Sequence, residues 1–356
     1  MTALVVPAPT SARRLSKLTL WATAGVSALV AFGVFGVLMA AGISEGFNIV
    51  AAVFVSAVLF VVLSYILSRI VEGRRKASDR LATGLVTTAF IVALLPLISL
   101  VYTAVVNGLP RFDATFFNSS MRNIVGAGGG GLHAIVGTLE ITLAATIISV
   151  PIGIMTAIYL VEYGKGRLAK AITFFVDVMT GIPSIVAGLF AFALFAIFFG
   201  PGIRFGIGGA VALSILMIPV VVRSTEEMLK LVPNELREAS YALGVPKWLT
   251  IVKIVIPTSI AGIVTGVMLS ISRIIGETAP LLIIVGMSTS MNYNLFSDRM
   301  ATLPVFVYTQ YASQGSDAQA YIDRAWTGAL VLILIVMALN LIARLVSKLL
   351  APKGLR

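Results

Sequence analysis

The feature of this sequence that most limits its fold is a series of eight apolar stretches, most of them long enough to cross a lipid bilayer. A helix satisfies its own backbone polar groups in hydrocarbon and needs about 20 mainly apolar residues to span it. The stretches therefore predict an all-α, polytopic membrane bundle of about eight transmembrane helices. They run from Leu18 to Ala40, Phe47 to Ser68, Leu81 to Val106, Ala134 to Leu160, Ala171 to Phe199, Ile207 to Val222 (the shortest), Ile260 to Met287 and Ala325 to Ala343.

Composition excludes most other classes of protein. The chain is 58% hydrophobic and 12% charged, whereas soluble domains carry about a quarter charged residues. Its net charge of +11 therefore belongs to loops between spans and not to a nucleic-acid-binding domain. The absence of cysteine and the single histidine exclude disulfide scaffolds, Cys-ligated zinc and multi-histidine centres.

The basic residues predict the orientation. With the N-terminus inside, 20 of the 26 Lys and Arg residues lie in inward segments, and Arg273 lies within a span. Cytoplasmic loops of membrane proteins are enriched in Lys and Arg, so both termini are expected in the cytoplasm. The five basic residues left in outward segments are Arg111, Arg122, Arg204, Arg299 and Arg324.

The longest inward segment, residues 223–257, predicts a short helix. It begins near Asn234, after Pro233, and ends near Gly244, a residue suited to a left-handed helix stop. Carboxylates in its first turns and small residues along one side suit a helix that lies in a groove of another protein. A solvated loop helix is the alternative on these grounds alone.

The spacing in this segment resembles the EAA loop of ABC importer permeases. Glu238-Ala239-Ser240 is followed after three residues by Gly244 and after nine more by Ile254-Val255-Ile256-Pro257. In that family the loop forms a coupling helix held in a cleft of the ATPase subunit. The resemblance implies that Glu238, Ala239, Ser240 and Gly244 couple this chain to an ATPase, although Ser240 stands where alanine is usual and Ile256 where leucine is usual.

Longer stretches resemble PstA-type permeases of phosphate ABC importers, within the family of binding-protein-dependent transport system inner membrane components. They include RSTEEMLKLVPNELREASYALGVPKW at 223–248, ISRIIGETAPLL at 271–282 and IPSIVAGLF at 182–190. The resemblance implies a non-enzymatic permease subunit for inorganic phosphate in a bacterial cytoplasmic membrane. Its implied partners are a PstC-type permease, two PstB-type ATPases that bind ATP and Mg²⁺, and a PstS-type phosphate-binding protein, with no cofactor in this chain.

The resemblance covers most of residues 81–344, so it also suggests a division of the chain. Residues 1–80 are expected to form a cytoplasmic tail and two extra spans, and residues 81–346 the permease core with its coupling loop. Residues 347–356 are expected to form a cytoplasmic tail.

Ionisable residues inside predicted spans are costly, at about 2.5 to 3.5 kcal/mol each on insertion scales. Arg273 and Glu277 are spaced i and i+4, which predicts a pair on one helix face. Arginine suits bidentate contact with an oxyanion, and a nearby carboxylate offers it a second partner. We predict Arg273, Glu277 and Thr278 on the substrate path; the alternative is a pair that only packs the bundle.

The remaining candidates have structural interpretations. Asp177 is expected to bond freed backbone groups or a neighbouring helix, and Arg223 to reach the membrane interface. His133 is expected to be interfacial, and Glu140 has no assigned role.

Three rival functions stay open. One is a permease for molybdate or sulfate, and another is an ion-coupled secondary transporter that uses Glu277 and Asp177. The third, a membrane enzyme, lacks a catalytic cluster. No G-x-x-x-x-G-K-[ST] occurs, so ATP hydrolysis requires another chain. The EAA-like loop favours the importer over the secondary transporter, which needs no ATPase.

Overall fold

The computed structural model describes residues 15–42 and 46–350, and within them the chain is a set of α-helices without β-strands. The all-α prediction is confirmed. The chain forms two compact units, residues 1–102 and 103–356. Residues 1–14 of the predicted N-terminal tail and 351–356 of the predicted C-terminal tail lie outside the described residues.

The first unit contains helix α1 (Lys17–Ala40), helix α2 (Ile49–Val71) and the first part of helix α3 (Arg74–Gly108). Both of the first two helices begin with a polar cap. Ser16 Oγ accepts the Thr19 N–H at 3.1 Å, and Asn48 Oδ1 accepts the Ala51 N–H at 2.9 Å. Such caps satisfy N–H groups that have no partner in the first turn of a helix.

Glu72, at the turn between α2 and α3, ties the first unit together. Its carboxylate accepts hydrogen bonds from the Leu15 N–H at 2.8 Å and from Ser68 Oγ at 2.8 Å, and it pairs with Arg80 at 2.7 Å. Burial raises the pKa of Glu72, but the hydrogen bonds from Arg80, Leu15 and Ser68 together outweigh it. They lower the pKa to about 2.

We expect Glu72→Gln to lower the thermal unfolding midpoint of the first unit in detergent at pH 7. A lowered carboxyl pKa stabilises the fold above the unfolded value of 4.5, and this contribution is lost as the pH falls towards 2. The difference from wild type should therefore narrow between pH 4.5 and 2. Asp79→Asn, at an exposed residue of α3, is the matched control. An equal difference at both ends of this range would contradict the assignment.

The second unit begins within α3 and contains eleven further helices among the described residues. They are α4 (Ala114–Asn118), α5 (Leu132–Ile158), α6 (Arg167–Thr180), α7 (Ser184–Phe199), α8 (Gly206–Lys230), α9 (Asn234–Ala242), α10 (Lys247–Thr250), α11 (Ile256–Ile274), α12 (Ala279–Ile284), α13 (Leu303–Ala312) and α14 (Ala318–Leu350). Two π-helical turns, Tyr159–Tyr163 and Ile251–Val255, extend α5 and join α10 to α11.

Helix α8 lies at the centre of the second unit, where it packs against α5, α6, α7, α11 and α12. Glycines allow these close approaches. A Cβ at Gly153 of α5 would lie 2.6 Å from Val221 Cγ1 on α8, and a Cβ at Gly208 would lie 2.7 Å from Ile284 Cγ1 on α12. Small residues at helix contacts are the usual basis of association in membranes, where lipid is as apolar as the helix surface.

Among the described residues, seven helices are long and apolar enough to cross a membrane, and the number is eight if the bent pair α6 and α7 forms one span. The prediction of about eight spans is confirmed when this pair counts as one span, but the fifth span is broken and not one continuous helix. The helices α6 and α7 meet at a bend of 110° around Gly181 and Pro183. Proline disfavours helical geometry at the preceding residue and cannot donate a backbone hydrogen bond, so the helix breaks there.

The sixth and seventh predicted spans also differ from the helices of the structure. The seventh is not continuous to Met287, because α11 ends at Ile274 and α12 starts at Ala279. The sixth does not end at Val222, because α8 continues through Lys230. Glu226 accepts contacts from Arg223 at 2.8 Å and Lys230 at 2.6 Å, so ion pairs support this last part of the helix.

A second hydrophobic cluster, which involves the N-terminal half of α14, contains helix α13, which was not predicted. Phe306 of α13 packs with Phe116 and lies edge-on to His133, whose side chain is buried. Arg324, expected in an outward loop, is fully buried. Its Nη1 donates to the carbonyls of Gly126 at 2.7 Å and Gly128 at 2.9 Å, so it fixes the glycine-rich connection before α5.

Candidate functional site

The predicted docking helix is present as α9, from Asn234 to Ala242. Gly244 has φ +75° and ends it in the left-handed conformation, as predicted. The connection between the long helices is shorter than the predicted 223–257 segment, because residues 223–230 belong to α8.

The surface around α9 exposes both acidic and apolar side chains. Glu238, Ala239 and Gly244 are exposed, as a docking function requires. Next to them, Leu243 is 84% and Trp248 61% exposed. Large apolar side chains in an aqueous loop mark protein contacts, so these two residues extend the predicted surface.

Ser240 differs from the other predicted docking residues because it faces inward. It is 3% exposed, and its Oγ lies 2.8 Å from Thr250 Oγ1, in a hydrogen bond to which either hydroxyl can donate. A small residue is needed here because α9 and α10 approach closely. Ser240 therefore supports the docking surface from beneath and is not part of it.

Arg237 joins α9 to the rest of the second unit. Its Nη2 and Nε donate to Glu162 Oε1 at 2.8 and 3.0 Å, and Nη2 also donates to the Leu229 carbonyl at 3.0 Å. Nη1 donates to the Val232 carbonyl. The side chains of Arg237 and Glu162 are only 12% and 5% exposed. One guanidinium thus connects α9 to the π-helical turn after α5 and to the C-terminal end of α8.

The same turn also holds the second half of the connection. Lys247, at the start of α10, donates through Nζ to the Glu162 carbonyl and lies 4.8 Å from the centre of the Tyr163 ring. Both sides of the α9 to α10 connection are therefore fixed to residues 162 and 163. We name residues Glu162, Arg237 and Lys247 the latch. Movement imposed on α9 must pass to α5 and α8 unless the latch breaks.

Arg237→Gln should loosen α9, because removing one partner of a buried ion pair costs about 3 to 5 kcal/mol. We expect faster amide hydrogen exchange in residues 234–242, measured by mass spectrometry. Lys253→Gln is the control, since Lys253 is exposed and makes no side-chain hydrogen bond or ion pair among the residues described. Unchanged exchange in the Arg237 variant would show that the latch does not hold α9.

The predicted pair of Arg273 and Glu277 is separated by the end of α11. Arg273 lies exposed in its last turn, whereas Glu277 and Thr278 lie half-buried in the turn that follows. No ion pair joins Arg273 to Glu277 in the described parts of the chain. The predicted shared helix face is wrong, because the chain leaves the α11 helix before residue 277 and resumes at Ala279-Pro280.

The break between α11 and α12 has the form of a site for a polar ligand. Irregular backbone at membrane depth persists only where protein buries it or where it lines an aqueous cavity, and broken helices of this kind bind substrates in transporters. The C-terminal end of a helix also stabilises a cation such as Arg273. Pro280 packs against Gly188 of α7, and Leu281 is buried, so α12 is firmly held.

Asp177 binds a neighbouring helix, which confirms its structural interpretation. Its carboxylate pairs with Arg223 of α8, which also pairs with Glu226. Arg223 is consequently part of an ion-pair network between α6 and α8. Glu140 Oε2 is buried and has no hydrogen-bond partner among the described residues, and nothing in the structure explains it.

Sequence comparison finds matches over most of the chain. The family described as "Binding-protein-dependent transport system inner membrane component" matches residues 149–355. The phosphate transport system permease protein PstA 1 of Mycobacterium tuberculosis is 47% identical over 276 residues, covering 77% of this chain and 90% of that protein. The phosphate transport system permease protein PstA of Yersinia pestis is 39% identical over 278 residues, covering 76% and 90%.

Solved structures also resemble the chain. An inward-facing conformation of the MetNI methionine ABC transporter has a TM-score of 0.49 and 17% identity, and the match covers 61% of this chain and 94% of that chain.

Proposed function

We propose, from the premise that this chain belongs to the binding-protein-dependent transport system inner membrane component family, that it is the permease subunit of an ATP-driven importer of inorganic phosphate. Phosphate is proposed as the substrate because the chain is 47% identical to a phosphate transport system permease over 77% of its length. The exposed helix α9 supports the ATP-driven mechanism, because an ion-coupled transporter needs no such dock.

The proposed complex assigns a task to each partner. A PstC-type permease completes the pathway, two PstB-type subunits bind ATP and Mg²⁺ beneath α9, and a PstS-type protein delivers phosphate from the other side. This arrangement places α9 and both termini in the cytoplasm of a bacterial cell. Helix α8 is 25 residues and about 37 Å long, so its Gly206 end lies on the outer side.

In this mechanism, ATPase closure displaces α9, and the latch carries the displacement to α5 and α8. Because α8 packs against both α11 and α12, the turn that separates them changes its exposure between the two sides of the membrane. The partner ATPases supply the free energy that selects between these conformations.

Arg273 is the proposed phosphate contact within the membrane. Its guanidinium suits two oxygens of the anion, and its exposure and lack of an ion pair in the described chain leave its donors available. Glu277, one short turn away, would receive the guanidinium after rearrangement and so release the anion.

Transport is tested with the four-component complex in proteoliposomes that enclose ATP and Mg²⁺, with the transporter's ATPase side facing the lumen. We expect uptake of radioactive phosphate that needs both ATP and the binding protein. If molybdate or sulfate were taken up in preference to phosphate, the proposed substrate would be wrong and that anion would take its place. Uptake driven by a proton gradient without ATP would identify a secondary transporter and refute the proposal.

Glu238→Lys should impair docking, because a reversed charge replaces an exposed carboxylate on α9. We expect less co-purified ATPase and lower phosphate uptake, with normal membrane insertion. Arg344→Glu is a charge-reversal control outside the docking surface. Full ATPase recovery and full uptake in the Glu238 variant would refute the docking assignment.

Arg273→Gln should abolish phosphate uptake while leaving ATPase binding intact, because Arg273 is remote from α9 in the fold. Arg273→Lys keeps the charge but loses the bidentate geometry, so we expect partial uptake with a raised half-saturating concentration of loaded binding protein. Near-normal uptake by Arg273→Gln would make this arginine a packing residue and remove it from the pathway.

A further inference from the structure

Two of the predicted outward arginines converge on one point of the backbone. Arg204 precedes α8, and Arg299 lies in the connection between α12 and α13. A Cβ built on Gly286 would lie 3.2 Å from Arg204 Cδ, 3.3 Å from its Nη1 and 3.5 Å from Arg299 Cδ. Gly286 has φ +75°, a conformation that favours glycine, so both side chains lie directly against bare backbone.

The loops that carry these arginines are ordered by hydrogen bonds. The Ile207 N–H, at the start of α8, donates to the Leu295 carbonyl at 2.8 Å and joins the two connections. The Asn292 side-chain amide donates to the carbonyls of Ser297 at 2.8 Å and Arg299 at 3.2 Å. The proximity of the two arginines is therefore a consequence of fixed backbone.

Neither arginine has an acidic partner in residues 15–42 and 46–350. No carboxylate lies within ion-pair distance of either guanidinium, although Asp298 is adjacent in sequence. By contrast, Arg111, another predicted outward arginine, pairs with Asp113 at 2.7 Å. Two neighbouring cations without an acid repel each other, and an anion with several oxygens relieves that repulsion by accepting from both.

Helix α12 connects this point to the proposed phosphate contact. It runs for six residues, about 9 Å, from Ala279, next to Thr278, to Ile284, two residues before Gly286. Leu281, Ile284 and Val285 are buried against the core of the second unit, so the helix is a fixed spacer. An anion at Gly286 is thus about one short helix from the turn that follows Arg273.

We propose that Arg204 and Arg299 form an outer binding site for a tetrahedral oxyanion, which phosphate occupies before it reaches Arg273. The site deepens the proposed function and rests on it for the identity of the anion. It gathers phosphate released by the binding protein and keeps it at the outer end of α12.

Transport through this site can be tested by removing each positive charge and then restoring it chemically. The chain has no native cysteine, so a cysteine introduced in place of an arginine can be modified selectively. Arg204→Cys and Arg299→Cys are assembled with cysteine-free partners in proteoliposomes. We expect each to lower phosphate uptake at limiting loaded binding protein about tenfold, the cost of one charge-assisted hydrogen bond. Modification with a methanethiosulfonate carrying ethylammonium should restore uptake, whereas the ethylsulfonate reagent should not. Arg122→Cys, at an exposed outward arginine away from Gly286, should stay near wild type throughout.

Occupancy is measured independently of transport. Inorganic phosphate should slow maleimide labelling of Ser288→Cys, two residues from Gly286, and should not do so when Arg204→Gln and Arg299→Gln are added. Normal uptake by both cysteine variants, equal rescue by both reagents, or no protection by phosphate would overturn the site. Weaker binding of the binding protein to either variant would make the pair a protein dock and also overturn it. Protection by oxyanions in a complex that imports no phosphate would keep the site and refute only the proposed function.

Discussion

The proposed coupling of α9 to the long helices α5 and α8 depends on one buried ion pair. Glu162 and Arg237 join the π-helical turn after α5, the end of α8 and the exposed helix α9 at a single point, with side chains 5% and 12% exposed. Buried pairs are a poor source of stability, because desolvation offsets much of their attraction, but they fix geometry when each charge is fully hydrogen-bonded. Here that geometry makes a protruding loop helix mechanically continuous with two long helices.

That continuity gives the packing around α8 a functional meaning. Glycines bring α5 and α12 close to α8, so movement of α8 cannot be absorbed by loose side chains between them. The turn between α11 and α12 interrupts the helix in this packed region and directly follows Arg273, which lies in the last turn of α11. Helix α12 then extends rigidly to Gly286 and its two arginines. The proposed docking surface and the proposed anion contacts thereby belong to the same packed unit.

Much of this arrangement was predictable from sequence, and the exceptions have physical causes. Apolar length predicted the spans, and Gly244 predicted the end of α9, because both signals are local. The bend at Pro183 and the end of α11 at Ile274 were missed, since hydropathy does not distinguish a broken apolar helix from a straight one. The inward position of Ser240 and the latch depend on contacts between residues distant in sequence. The hydrophobic periodicity of the sequence does not predict such contacts.

The proposed mechanism requires a rigid connection between α9 and α5, and a distance measurement tests it directly. Because the chain lacks cysteine, spin labels can be placed at exposed residues Lys165 and Glu235 in the full complex in nanodiscs with cysteine-free partners. Electron–electron double resonance then compares the nucleotide-free complex with the complex trapped by ATP and vanadate. A rigid connection predicts the same narrow distance distribution in both states. A shift or broadening on trapping would show that α9 moves independently of α5 and would contradict it.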